Sequence, residues 1–145
     1  MPVVIYKALH NQKIPVYGQG LNVREWLYVD DCVAGLMQVL KKGKSGEVYN
    51  LGSGNERTNI VVIENVLEIM NKPQSLIEFV KDRPGHDYRY ALNFDKARRE
   101  LDWAPQVDFL SGMRRTVEHY QKNHKWLDKK AGELKAYWAK VYKKK

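Results

Sequence analysis

The apolar runs of this 145-residue chain are short, and glycine, proline or a charged turn ends almost every one of them. Runs of a few apolar, β-branched and aromatic residues predict strands. We place them at 14–17, 25–29, 47–51 and 77–80, with a further extended segment at 88–92. Strands so few and so short do not make a complete doubly wound sheet. The sequence therefore predicts an α/β domain of α+β character, in which short strands alternate with helices.

Apolar residues three or four positions apart, with short polar residues ahead of them, indicate the helices. Positions 62, 63, 66, 67 and 70 mark one apolar face of a helix that Thr58 would cap. The predicted helices cover about 4–12, 32–42, 59–70, 96–101, 109–123 and 127–141, and the other proposed caps are Asp30 with Asp31, Asp95 and Asp108. No capping residue precedes the first helix, so we expect the chain to begin within an element of a longer protein.

The net charge of +8 is concentrated near the carboxyl end. The last 25 residues hold 9 lysines and 2 acidic residues, whereas the first 80 residues hold 8 basic and 8 acidic ones. We therefore divide the chain into a domain over 1–125 and a lysine-rich helical tail over 126–145. Lysines on the solvent face of a terminal helix account for this charge. Because arginine rather than lysine reads base edges, we do not expect a nucleic acid partner.

Membrane, secretory and cysteine-based functions are not expected. The chain has no apolar run near the roughly 20 residues that cross a bilayer, and it begins with no signal-peptide pattern. The single cysteine, Cys32, lies in an apolar helical segment, where a small buried side chain is its ordinary role. We expect a cytoplasmic protein without a membrane contact, a disulfide or a cysteine-ligated metal.

Two motifs that dinucleotide-dependent oxidoreduction uses are missing. Gly52-Ser53-Gly54 lies between a predicted strand and a predicted helix, but it lacks the third glycine and the later acidic residue of a dinucleotide fingerprint. No tyrosine is followed four residues later by a lysine, the spacing at which the two side chains share one helix face. We therefore expect neither a catalytic residue nor a bound cofactor in this chain.

Two arginines are candidates for binding phosphate. Arg24 opens the string Arg-Glu-Trp-Leu-Tyr-Val-Asp-Asp over 24–31, and Arg83 lies in Asp-Arg-Pro-Gly-His-Asp over 82–87. A guanidinium group stays protonated, and its planar fork matches phosphate oxygens. Tyr17 offers a ring that can stack on a base. Taken singly, however, each arginine is better explained by a surface ion pair with a neighbouring acid.

These strings, together with Ile14-Pro15-Val16-Tyr17-Gly18 and Gly46-Glu47-Val48-Tyr49-Asn50-Leu51-Gly52, resemble the extended short-chain dehydrogenases. The narrower string over 82–87 resembles the dTDP-glucose 4,6-dehydratases within that family, and the resemblance extends from residue 1 to about 128. It implies the carboxy-terminal substrate-binding portion, without a complete Rossmann sheet, of an NAD-dependent lyase. In such enzymes NAD oxidises C4 of the glucose, water is lost across C5 and C6, and hydride returns to C6.

The resemblance also implies which residues contact a dTDP-sugar. They are Pro15, Val16, Tyr17, Arg24, Asn59, Asp82, Arg83, Pro84, Gly85 and His86. The three residues at 15–17 would line the base pocket, the two arginines would hold the diphosphate, and the others would complete the nucleotide contact. The position where the family usually has a substrate-contacting tyrosine is Leu134 here. NAD would belong to the full-length enzyme, bound by a cofactor domain that is the second expected partner.

Two other interpretations stay open. The chain could be part of a related UDP-sugar epimerase or decarboxylase, since the string over 24–31 is common in those enzymes. It could also be a non-catalytic binding or scaffold domain whose lysine tail meets an anionic partner. Without the cofactor domain an apolar surface should be exposed. Self-association would cover it, or a folding back of the aromatic tail residues Trp126, Tyr137, Trp138 and Tyr142.

Overall fold

The computed structural model describes residues 1–142 and, among them, the side chains of residues 1–137. Its helices are α1 (Pro2–Leu9), α2 (Val29–Lys42), α3 (Asn59–Ile69), α4 (Asp95–Leu101), α5 (Phe109–Lys122) and α6 (His124–Tyr142). Its strands are β1 (Ile14–Tyr17), β2 (Val23–Glu25), β3 (Glu56–Thr58), β4 (Ile77–Val80) and β5 (Arg89–Tyr90), and a 3-10 turn covers Gln74–Leu76.

The strands form two small sheets. β1 and β4 pair in parallel, with Ile14 opposite Ile77 and Tyr17 opposite Val80. In the second sheet β2 lies at the centre, antiparallel to β3 and parallel to β5. The predicted fold class is confirmed: the described residues form a mixed α/β domain with short strands and no complete Rossmann sheet.

The principal core lies where α1, α3 and α5 meet β1. Its fully enclosed side chains include Ile5, Ile14, Val66, Leu67 and Val117. The buried positions of α3 follow the helical period that the sequence predicted. A smaller cluster around Trp103 packs α4 against α2.

The prediction that Asp30 and Asp31 cap α2 is wrong. The helix begins at Val29, and the N-cap position is Tyr28. Asp31 is only 6% exposed, and its carboxylate accepts a hydrogen bond from the N–H of Val107 at 2.9 Å. The Asp31 carbonyl also accepts the indole N–H of Trp103 at 3.2 Å. This acidic residue therefore joins α2 to the segment between α4 and α5.

The other capping predictions have different outcomes. Asp108 caps α5, because its carboxylate accepts the N–H of Ser111 at 3.0 Å. Thr58 occupies the N-cap position of α3 but makes no side-chain capping bond. Asp95 is the first residue of α4, and the N-cap position belongs to Phe94. The capping prediction is therefore confirmed for Asp108, holds only in position for Thr58, and is wrong for Asp95.

Two strand predictions are wrong and one strand was not predicted. β2 covers Val23–Glu25 rather than 25–29, because the residues after Glu25 lead directly into α2. The segment 47–51 pairs with no strand in the described part of the chain, and Val48 is 78% exposed. β3 contains two charged residues and no apolar alternation, so only its pairing with β2 makes it a strand.

The beginning of α6 packs on the rest of the chain. Leu127 is 5% exposed, and His10 Nε2 lies 2.7 Å from a carboxylate oxygen of Asp128. Trp126 and Tyr137 are more than half exposed, so the tail does not fold its rings back at these two positions. The predictions for the side chains of Trp138, Val141 and Tyr142 fall outside the described residues. The division of the chain at 125 and 126 stays a prediction.

The exposed apolar surface expected from the sequence is the outer face of α2. Five side chains along this helix are between 46% and 80% exposed: Val29, Val33, Leu36, Met37 and Leu40. An apolar face of this kind is typical of a surface that meets another polypeptide. None of the helices in residues 1–142 combines the length and the hydropathy that crossing a bilayer requires.

Replacing Gly35 by alanine is expected to lower the free energy of unfolding by about 1–3 kcal/mol, the usual cost of overpacking. A Cβ at Gly35 would lie 2.8 Å from Leu51 and 2.9 Å from Trp103. Urea unfolding followed by circular dichroism measures the change. Gly132→Ala in α6 is the matched control, because a Cβ there meets no atom within 4 Å. It should raise stability by about 0.5–1 kcal/mol, and an equal gain in Gly35→Ala would contradict the packing of α2 on Trp103.

Candidate nucleotide-binding site

The loop over 82–87 begins where β1 and β4 end. Because these strands are parallel, their carboxyl ends meet at one edge, and the Gly18 N–H extends the pairing by donating to the Val80 carbonyl at 2.9 Å. The ring of Tyr17 meets the ring of His86 edge to face, with centroids 5.9 Å apart. A Cβ at Gly18 would lie 3.3 Å from the Asp82 carboxylate. The loop therefore returns against the end of β1.

A bond between Asp82 and His86 closes this loop. Asp82 Oδ1 lies 2.7 Å from His86 Nδ1, and the His86 side chain is 7% exposed. The same oxygen accepts the N–H of Arg83 at 2.8 Å. The hydrogen bond to His86 is the main reason that the pKa of Asp82 is lowered. Pro84 and Gly85, the latter with φ of 66°, form the exposed turn between these two anchors. Arg83 is thus presented from a backbone held on both sides.

Arg24 is half-buried and held on three sides. Its Nη1 donates to the carbonyl of Val23 at 2.6 Å, and its Nη2 donates to the carbonyl of Asp87 at 3.0 Å. Its guanidinium carbon lies 4.6 Å from the centroid of the Tyr90 ring. Tyr90 is directly opposite Arg24 in the pairing of β2 with β5. The strand pairing therefore brings the Arg24 side chain to the last residue of the loop that carries Arg83.

Asp87 and Tyr90 form a hydrogen-bonded pair beside Arg24. The Tyr90 hydroxyl donates a short hydrogen bond to the Asp87 carboxylate. This bond is the main cause that raises the pKa of Tyr90 and lowers that of Asp87. The positive charges of Arg24 and Arg83 also lower the pKa of Asp87, and both oppose the rise at Tyr90. Of the two arginines, Arg24 contacts this tyrosine–aspartate pair directly, through the Tyr90 ring and the Asp87 carbonyl.

The other implied contacts are divided between the surface and the core. Pro15 and Tyr17 are exposed on one face of β1, whereas Val16 is 2% exposed and its side chain lies in the principal core. Asn59 begins α3, and its N–H donates to the carbonyl of Asn22 at 3.0 Å. Of the residues at 15–17, only the first and third present side chains to solvent.

Three residues of this region were not among the predicted contacts. Asp87 ends the quoted string over 82–87 and Tyr90 lies three residues beyond it, but only their contacts with Arg24 reveal a place in the site. Asn22 is 7% exposed and donates from its amide to the Asp87 carbonyl at 3.2 Å. Asn22 therefore links the start of α3, at Asn59, to the loop, and no sequence motif indicates this role.

The described residues do not fit a bound dinucleotide at the glycine turn. The N–H groups of Ser53 and Gly54 both donate to the carboxylate of Glu25 at 2.6 Å. These amides would have to face a phosphate in a dinucleotide site. Among residues whose side chains are described, no group of three or more His, Cys, Asp or Glu side chains is arranged to hold a metal ion.

A cavity of about 540 Å³ lies elsewhere, between the segment 26–30 and α5. The guanidinium of Arg115 lies 5.6 Å from the ring centroid of Tyr28 in its wall. The indole N–H of Trp26, also in its wall, is buried and has no hydrogen-bond partner among the described residues. None of the implied substrate contacts lines this cavity.

Comparison with known proteins identifies the class to which this small α/β domain belongs. The chain belongs to the family described as GDP-mannose 4,6 dehydratase, whose model matches residues 1–116. More narrowly, it is similar to the dTDP-glucose 4,6-dehydratases. It is 46% identical over 135 residues to dTDP-glucose 4,6-dehydratase 1 of Escherichia coli strain K12, a match that covers 88% of this chain and 37% of that protein. The resemblance drawn from the sequence is confirmed, and the chain spans less than two fifths of that relative.

Solved structures give the same result. The dTDP-glucose 4,6-dehydratase of Bacillus anthracis in complex with NAD is 46% identical, with a TM-score of 0.81, over 86% of this chain and 40% of that one. DesIV, the dTDP-glucose 4,6-dehydratase of Streptomyces venezuelae, was solved with NAD and TYD bound. It is 40% identical with a TM-score of 0.84, over 87% of this chain and 39% of that one. The described fold is therefore a part of the fold of these dehydratases.

Truncating Arg24 or Arg83 to alanine is expected to raise the pKa of Tyr90 further. Each arginine charge stabilises the phenolate, so removing it favours the protonated hydroxyl. Asp87→Ala should have the opposite effect, because it removes the acceptor that holds the proton on Tyr90. A ¹³C NMR titration of the tyrosine side chains measures these values.

Arg114→Ala, an exposed arginine of α5, is the control and should leave the Tyr90 pKa unchanged. An unchanged pKa in Arg83→Ala would separate Arg83 from the tyrosine–aspartate pair.

Proposed function

We propose that the chain is the part of a dTDP-glucose 4,6-dehydratase that binds the nucleotide sugar. One observation supports this most strongly: Arg24 is hydrogen-bonded to Asp87, the last residue of the loop that carries Arg83. Arg24 therefore lies beside the loop that carries Arg83, and the proposal requires both guanidinium groups to reach one position on the surface. A nucleoside diphosphate carries neighbouring negative charges that accept hydrogen bonds from both.

The arrangement of Arg24 suits a rigid phosphate contact. Two of its five N–H groups donate to backbone carbonyls, which fixes the plane in which the other three point. The stacking of the guanidinium on Tyr90 holds the same plane from one side. A preorganised donor loses less side-chain entropy on binding than a free surface arginine does. Arg24 is thus placed to anchor a phosphate.

The edge of the domain where β1 and β4 end would also supply the contacts with the base and the sugar. Tyr17 is 49% exposed beside His86, so its ring is available to stack on a flat base, with Pro15 as its neighbour on that face of β1. The buried Val16 would contribute through its main chain. Asn59 and the loop over 82–86 would complete the contact with the nucleotide, as in the implied set.

The oxidation and dehydration steps are placed in another part of the full-length enzyme. The chain has no tyrosine–lysine pair at the required spacing, and the amides of its glycine turn are bound to Glu25. Its own residues bind and orient the nucleotide, whereas NAD supplies the hydride chemistry from elsewhere.

The apolar face of α2 and the cavity beside Trp26 are proposed to meet that other part. The face and the cavity join at Val29, which is 62% exposed and lines both. A carbonyl group from the docked polypeptide would accept the buried indole N–H of Trp26. Burying these side chains on docking contributes about 25 cal/mol for each Å² of apolar surface.

Isothermal titration calorimetry with dTDP tests the binding proposal. Arg83→Ala is expected to weaken binding by about 1.5–3 kcal/mol, the contribution of hydrogen bonds to a charged group. Arg99→Ala, an exposed arginine in the last turn of α4, is the matched control and should bind as wild type does. Equal affinities of wild type and Arg83→Ala would remove Arg83 from the site.

The same titration with UDP distinguishes the epimerase or decarboxylase interpretation. Tighter binding of UDP than of dTDP would favour it. Binding to heparin that disappears when residues 126–145 are deleted, without any nucleotide affinity, would favour the scaffold interpretation instead.

Supplied with dTDP-glucose and NAD, the chain alone is expected to show no dehydratase turnover. Its residues would provide a nucleotide contact, but they include neither a tyrosine–lysine pair at the required spacing nor a dinucleotide fingerprint. Consumption of dTDP-glucose, followed by chromatography, measures this, with the Escherichia coli relative as the positive control. Turnover that accompanies the chain through every purification step would contradict the assignment of catalysis to another part of the enzyme.

A further inference from the structure

The carboxylate of Glu25 accepts hydrogen bonds from three backbone N–H groups. Its Oε1 accepts those of Ser53 and Gly54, each at 2.6 Å, and its Oε2 accepts that of Leu92 at 2.8 Å. Hydrogen bonds to an ionised carboxylate are about twice as strong as neutral ones. Glu25 is half-buried and immediately follows Arg24 in β2. One side chain therefore joins three separated segments next to the candidate site.

The glycine turn is shaped around this carboxylate. A Cβ at Gly52 would lie only 2.8 Å from Glu25 Oε1, so the position has no room for a side chain. Gly54 has φ of 68°, the left-handed region in which glycine is favoured. The hydroxyl of Ser53 also donates to the Trp26 carbonyl at 2.8 Å, which adds a second tie to the residue after Glu25. The turn that resembles a phosphate cradle in sequence thus holds an internal carboxylate.

The bond to Leu92 continues the pairing of β2 with β5. The described strand pairing ends at Arg24 opposite Tyr90, and Leu92 is two residues farther along. Beyond that point the Glu25 side chain takes the place of a main-chain acceptor. The contact of Arg24 with the Tyr90 ring is therefore fixed by pairing on one side and by the Glu25–Leu92 bond on the other.

We infer that Glu25 is a positioning residue of the diphosphate site. It touches no ligand itself, but it holds the segment carrying Tyr90 against Arg24 and so keeps the Arg24 guanidinium in the plane that receives phosphate. This inference rests on the proposed function for its effect on binding, whereas its effect on the Arg24–Tyr90 contact does not require a ligand. An amide nitrogen in place of one carboxylate oxygen would face N–H donors and could not accept from them.

Amide hydrogen exchange and NMR of the 145-residue chain test the ligand-free part. The N–H groups of Ser53, Gly54 and Leu92 should be protected in wild type and should exchange faster in Glu25→Gln. The Tyr90 ring resonances should shift in Glu25→Gln toward their positions in Arg24→Ala. Glu56→Gln is the matched control, because Glu56 lies opposite Glu25 on β3 and binds only the exposed Arg89. Unprotected amides in wild type, or unshifted Tyr90 resonances in Glu25→Gln, would overturn the inference.

Calorimetry with dTDP tests the coupling to Arg24. Glu25→Gln should weaken binding about tenfold, the change that corresponds to one charge-assisted hydrogen bond. In the Arg24→Ala background the same substitution should have no further effect, because Glu25 acts through Arg24. A merely structural role would lower affinity equally in both backgrounds, and that result would overturn the inference.

Two further outcomes have separate meanings. If Glu25→Gln does not fold, Glu25→Asp replaces it, since the shorter side chain keeps the charge but cannot reach all three amides. If wild type binds no dTDP, the proposed function fails, and the amide exchange and the Tyr90 resonances alone decide the role of Glu25.

Discussion

The parallel pairing of β2 with β5 is the interaction on which the candidate site depends. It sets Arg24 opposite Tyr90, so that the guanidinium stacks on the ring and reaches the carbonyl of Asp87. The loop that begins at Asp82 therefore ends beside Arg24. The contact between Asp82 and His86 closes this loop and holds the backbone at Arg83, which lies between them in the sequence. Strands of two or three residues are sufficient to place this site, since the side-chain contacts of Arg24 extend the pairing of β2 with β5.

The proposed binding site and the proposed docking surface lie on different elements of this small domain. The edge formed by β1, β2 and the loop over 82–87 carries the arginines, whereas the apolar face of α2 and the cavity beside Trp26 carry no implied substrate contact. Asp31 ties α2 to the segment before α5, so the helix that carries the exposed apolar face has its own buried polar support.

The sequence predicted the features of the fold that depend on residues close together in the chain. The apolar period of α3, the N-cap of α5 at Asp108, and the strands β1 and β4 all follow from neighbouring residues. β3 could not be predicted, because its residues Glu56–Thr58 become a strand only through pairing with β2. The strand predicted over 47–51 is the opposite error. The composition of this segment favours a strand, but no strand of the described residues pairs with it.

The candidate site also divides into residues that local patterns predict and residues that only distant contacts reveal. The chemistry of guanidinium groups and the family strings predict Arg24 and Arg83 as phosphate contacts, and that prediction stays to be tested. The roles of Asp87 and Asn22 depend on contacts between residues about 65 positions apart, which no local pattern contains. The central claim is that both arginines bind one diphosphate. A crystal structure of the chain with dTDP tests it most directly: the account predicts one diphosphate within hydrogen-bond distance of both side chains. A diphosphate bound by only one of them, or bound in the cavity beside Trp26, would contradict it.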